Sequence, residues 1–66
     1  MMYVVEVCAT PLEQELIMQQ CPFGIWRSKN GLDHAVEFES LLEAEQFFQC
    51  VDGHGYHVSQ INEIAD

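Results

Sequence analysis

The sequence predicts an α+β domain, one four-stranded antiparallel sheet with two helices on one face, and three observations carry that expectation. Two segments, opening at Thr10 and Ser40, bear helix-start signatures. Around them lie four short runs rich in Val, Ile and aromatic residues. Asn30-Gly31, between two of those runs, is a strong hairpin signal. The implied order is strand, helix, strand, strand, helix, strand.

Met2 to Cys8 has the composition of a buried strand, with Tyr3, Val5 and Val7 on one face and Val4, Glu6 and Cys8 on the other. Thr10 then acts as N-cap, Pro11 takes the first helical position, and Glu13 completes a capping box. The helix runs to about Gln20, with Leu12 and Leu16 on its apolar side and Ile17 adjacent, and Pro22 stops it. Phe23 to Ser28 reads as a second strand. A type I′ turn centred on Asn30-Gly31 leads to a third strand, His34 to Glu39, where Val36 and Phe38 face one way and Glu37 and Glu39 the other.

Ser40 repeats the capping logic with Glu43 as its partner. The following helix, Leu41 to Val51, aligns Ala44, Phe47, Phe48 and Val51 in one stripe, and Gly53 and Gly55 supply stop chemistry. Tyr56 to Ile61 is the last strand, and Asn62 to Asp66 reads as a frayed tail. The whole matches the split βαβ, or ferredoxin-like, arrangement, with residues 1–66 as a single domain.

Charge is the unusual property. The chain carries eleven Asp and Glu against two Lys and Arg, a formal balance of −9, yet 48% of it is hydrophobic. A disordered chain of high charge lacks apolar residues; this one has those of a globular domain. A domain of this length buries only roughly 60% of its unfolded surface, so its margin of stability is thin. Cys8, Cys21 and Cys50 are odd in number and include no CxxC, which argues against a disulfide framework, one bridge plus a spare thiol being the alternative. The first residues lack a basic n-region, and no run approaches a membrane span. The expectation is a cytoplasmic protein with no membrane partner.

In a ferredoxin-like sheet the first and third strands are central, so Glu6, Glu37 and Glu39 are expected on the open face. Glu13, Glu15, Glu43 and Glu45 line the helices, and Asp33 and Asp52 sit near turns. Between Asp33 and Asp52 there is no Lys or Arg at all. Duplex DNA presents one negative charge per roughly 1.7 Å, and its binding proteins answer with Lys and Arg grooves that a carboxylate-studded body can occupy. Such attraction is long-ranged and salt-sensitive. In size, acidity and lack of catalytic motifs the chain is similar to nucleic-acid mimics and small inhibitors of nucleic-acid-processing complexes, such as phage-encoded anti-CRISPR proteins. That resemblance is one of size and charge alone.

The leading expectation is therefore a non-enzymatic inhibitor or mimic that binds the basic groove of a nucleic-acid-handling protein. Glu6, Asp33, Glu37, Glu39, Glu43, Glu45 and Asp52 would carry the contact, with Trp26 as apolar anchor. Direct nucleic-acid binding is rejected, since Arg27 and Lys29 are the only basic residues. One alternative is a structural or regulatory interaction module, homodimeric through an edge strand or helix side. Another is a metal-binding domain through Cys50, His54 and His57, a C-x3-H-x2-H cluster one ligand short of a structural zinc site. No catalytic residue and no cofactor is indicated. The acidic surroundings disfavour a reactive thiolate, and Gly53-His54-Gly55 lacks the lysine and following helix of a phosphate loop.

Overall fold

The computed structural model describes residues 1–64 and has the expected element order. The elements are β1 (Met2–Cys8), α1 (Pro11–Gln20), β2 (Ile25–Ser28), β3 (Asp33–Phe38), α2 (Leu41–Gly53) and β4 (His57–Ile64). The strands form one antiparallel sheet in the order β2-β3-β1-β4, the ferredoxin-like topology. Strand alternation sends Val5 and Val7 of β1, and Val36 and Phe38 of β3, toward the helices. There they join Ile17 and Cys21 of the first helical segment and Ala44, Phe47 and Val51 of α2 in one buried cluster.

Both helices start as their caps dictate. Thr10 Oγ1 accepts from the Glu13 N–H at 3.2 Å, and Glu13 Oε1 accepts from the Thr10 N–H at 3.0 Å, closing the capping box. Ser40 Oγ accepts from the Glu43 N–H at 3.2 Å, but the reciprocal Glu43 bond is not formed. Helix α2 runs past Val51 to Gly53 and closes in a Schellman motif. Gly55 is left-handed at φ 84°, its N–H donates to Asp52 O at 3.0 Å, and the Tyr56 N–H donates to Val51 O at 3.2 Å. The glycine pair therefore ends a helix.

Four local expectations are corrected. Strand β2 begins at Ile25 because Gly24, at φ 80°, leaves the extended region. The hairpin turn is displaced by one residue: Asn30 O accepts from the Asp33 N–H at 3.0 Å, so Gly31 and Leu32 are central, and only Gly31 has positive φ. That is the φ pattern of a type II′ turn rather than I′. Strand β4 continues through Asn62, Glu63 and Ile64, because β1 offers it partners as far as Met2↔Ile64. The last two residues of the expected tail lie outside the described residues. A bulge interrupts this ladder between Val5 and Val7, where the Glu6 N–H donates instead to Ser59 Oγ at 3.1 Å.

The fourth correction concerns α1. Leu12 and Leu16 were expected inward, but they are 67% and 37% exposed, and Ile17 alone in the helix is buried. At about 100° per residue, Leu16 lies about 100° and Leu12 about 140° around the axis from Ile17. Cys21, four residues after Ile17, shares its inward side, and it is bonded to Cys50. The cysteines thus form one bridge, across a separation of 29 residues, with Cys8 as the free thiol. A loop of that length gives about 3–4 kcal/mol on chain-entropy grounds.

Three outcomes follow from this packing. Gly24→Ala should cost about 1–3 kcal/mol in denaturant unfolding, because its Cβ would meet Phe38 Cζ and Val36 Cγ1 at 2.6 Å in a left-handed backbone. Replacing both Cys21 and Cys50 by Ser should cost about 2–4 kcal/mol. In hydrogen exchange, α1 amides should lose protection before those of β1 and β3.

Candidate functional site

The open face of the sheet holds both basic side chains of the protein, and both are engaged. Arg27 Nε lies 2.9 Å from Glu37 Oε2, and Lys29 Nζ lies 3.1 Å from Glu6 Oε1. The register explains the first pair: Arg27 sits opposite Ala35, two residues from Glu37 on the same face of β3. Glu37 is sheltered, with its side chain 18% exposed. Such pairs add little stability at a surface, but they neutralise the charge they join. The central strands therefore do not present Glu6 and Glu37 as bare carboxylates.

Two shallow grooves lie on this face. One, of about 490 Å³, is lined by Met1, Met2, Ile25, Arg27, Glu37 and Glu39. The other, of about 260 Å³, holds Glu6, Cys8, Asp33, His57 and Ser59. Cys8 stands in register with Asp33 on one side and His57 on the other. Among the described residues no hydrogen bond joins its thiol to either.

Other exposed acids are Asp33 and Glu39, which reach the grooves of this face from the two ends of β3, and those of the helices. Glu15 of α1 and Glu43, Glu45 and Asp52 of α2 are exposed, Glu39 is exposed where β3 leads into α2, and Asp33 is exposed at the start of β3. Exposed apolar side chains are interleaved with the helix acids: Leu12, Leu16 and Met18 on α1, Leu41 and Leu42 on α2. The strand alternation that separates Ile25 from Trp26 exposes Ile25, at 61%. Trp26 is turned inward instead. Its ring meets His34 and Phe47 edge-on at centroid distances of 5.7 and 6.0 Å, so it braces the core rather than offering an anchor. His34 itself is buried, with Nε2 donating to Ala9 O at 3.3 Å.

The Cys50, His54, His57 trio is not assembled as expected. Cys50 and His54, four residues apart at the end of α2, come together, with Sγ and Nδ1 3.9 Å apart. His57 lies across from Cys8 at the start of β4. Cys21 takes its place: both sulfurs and a ring nitrogen of His54 lie within 4.8 Å of one another. Two signals in the sequence point to Cys21, its four-residue step from Ile17 and its position at the end of α1.

No known family, curated protein or solved structure matches this chain. No helix is long and apolar enough to cross a membrane among the described residues.

Glu13 shows what the caps do to a carboxylate. The Thr10 N–H, and then the Thr10 hydroxyl, hold its pKa below the ordinary value, with a smaller contribution from His57. A depressed carboxylate contributes stability that is full above its unfolded pKa and is lost as pH falls through the folded value. The stability difference between wild type and Glu13→Gln should therefore be constant near neutrality and shrink on acidification below the ordinary glutamate range. Paired denaturation curves from pH 7 downward check this.

Proposed function

We propose that the protein is a non-enzymatic acidic binding protein that occupies a basic surface on a nucleic-acid-handling partner, and that its helix layer makes the contact. One observation carries the reading. Arg27 and Lys29 both lie on the open sheet face, tied to Glu37 and Glu6, which leaves the helix layer with carboxylates and no Lys or Arg. A surface of that kind attracts a Lys and Arg groove over a Debye length and repels nucleic acid. The exposed leucines among the acids add the apolar contacts that charge alone cannot supply, since steering sets rate and specificity more than affinity. Asp33, Glu39, Glu43, Glu45 and Asp52 are the exposed acids of the expected site.

Inhibition in the manner of a nucleic-acid mimic follows if the occupied groove is the one the partner uses for its substrate. A cytoplasmic setting fits such a partner. The Cys21–Cys50 bridge is there subject to reduction, since disulfides rarely persist in that compartment.

The test is capture from a lysate on immobilised protein, with elution by rising salt and with competing duplex DNA. Basic nucleic-acid-binding proteins should elute as salt rises and be displaced by the DNA. The triple variant Glu43→Lys, Glu45→Lys, Asp52→Lys, with its fold checked by circular dichroism, should lose at least tenfold in affinity for the captured protein. Glu37→Gln should change it less than twofold. Retention through high salt by the triple variant would sink the proposal.

A further inference from the structure

We propose that Cys21, Cys50 and His54 form a metal site that the disulfide closes and reduction opens, taking one thiophilic ion, zinc(II) or copper(I). The inference is independent of the partner reading. The geometry supplies the donor set. The two sulfurs and a ring nitrogen of His54 lie within 4.8 Å of one another, and His54 Nδ1 is 3.9 Å from Cys50 Sγ. With zinc–sulfur and zinc–nitrogen bonds of about 2.3 and 2.0 Å, tetrahedral donors stand about 3.6–3.8 Å apart. Breaking the S–S bond lets the sulfurs separate to that spacing. His54 is already within a few tenths of an ångström of it. Two thiolates and one imidazole are a soft set that suits these ions.

The electrostatics favour a cation here. Cys21 caps the C-terminus of α1, and Cys50 and His54 belong to the last turn and cap of α2, so the negative ends of two helix dipoles converge. Neither last turn contains a basic residue, and the chain as a whole carries −9. His54 Nδ1 also lies 2.7 Å from Cys50 O, so on binding an ion Nδ1 gives up that hydrogen bond and the ring proton sits on Nε2. Cys21 is buried, Cys50 half-buried and His54 exposed, so an ion enters from the His54 side and keeps one position open to water or to a partner's donor.

The chemistry balances with a dithiol reductant. Two electrons and two protons from the dithiol convert the Cys21–Cys50 bridge to two thiols, and the reductant closes to its own disulfide. Zinc then displaces both thiol protons to solvent, leaving a site of zero net charge.

The experiment uses the whole chain, reduced with a dithiol, desalted without air, and given one equivalent of zinc before native mass spectrometry. Cobalt(II) serves as a second probe through its thiolate charge-transfer absorption. The reduced protein should hold one ion per chain and the oxidised protein none. His54→Ala, which keeps the bridge, should weaken binding by the reduced form about tenfold or more. Cys8→Ser and His57→Ala should bind as wild type does. Reduced protein that unfolds and regains its circular dichroism on adding zinc supports the site as directly as binding to a folded form. Binding by the oxidised form, loss of binding in Cys8→Ser, an unaffected His54→Ala, or no binding by the reduced chain would each overturn the proposal.

Discussion

The bond between Cys21 and Cys50 is the constraint on which the helix layer depends. A ten-residue helix that buries one side chain, Ile17, has almost no hydrophobic reason to stay on the sheet. An isolated helix of that length is marginal in water, however well it is capped. The bridge fixes its far end to α2, which buries Ala44, Phe47 and Val51 and is anchored without help. From that single fastening follow the rotation of α1, the outward turn of Leu12 and Leu16, and the meeting of the two helix ends beside His54.

The sheet, by contrast, is held by alternation and by its ladders. Val5 and Val7 are buried between β3 and β4, and the same two-residue period places Glu6 and Glu37 on the opposite side. There each finds one of the two cations the chain possesses. The result is a division of labour between layers: an open face whose central carboxylates are answered, and a helix face whose carboxylates are not.

Legibility in the sequence followed the range of the interactions. Signals decided within four residues were read directly: the Thr10 box, the Ser40 cap, the α2 stripe and the glycine stop. Topology was legible too, because the element order of this chain matches a known split βαβ arrangement. What depended on distant partners was not. The register of β4 against β1 extends the last strand to Ile64, and nothing local marks Asn62 as paired. The rotation of α1 is not legible locally, because Leu12 and Leu16 together offer more apolar surface than Ile17, whereas the helix answers to Cys50, 29 residues after Cys21. For the candidate site, the acids were plain, but their neutralisation by Arg27 and Lys29 required strand pairing to be known.

The separation of answered from unanswered charge also gives the molecule a direction. Both helices end at the bridge, so the negative ends of their peptide dipoles meet there. Their side chains place the net negative charge on the same layer. A body polarised in this way experiences a torque in the field of any charged surface. It turns before it touches, and a collision that begins with the wrong side forward is corrected during approach rather than wasted.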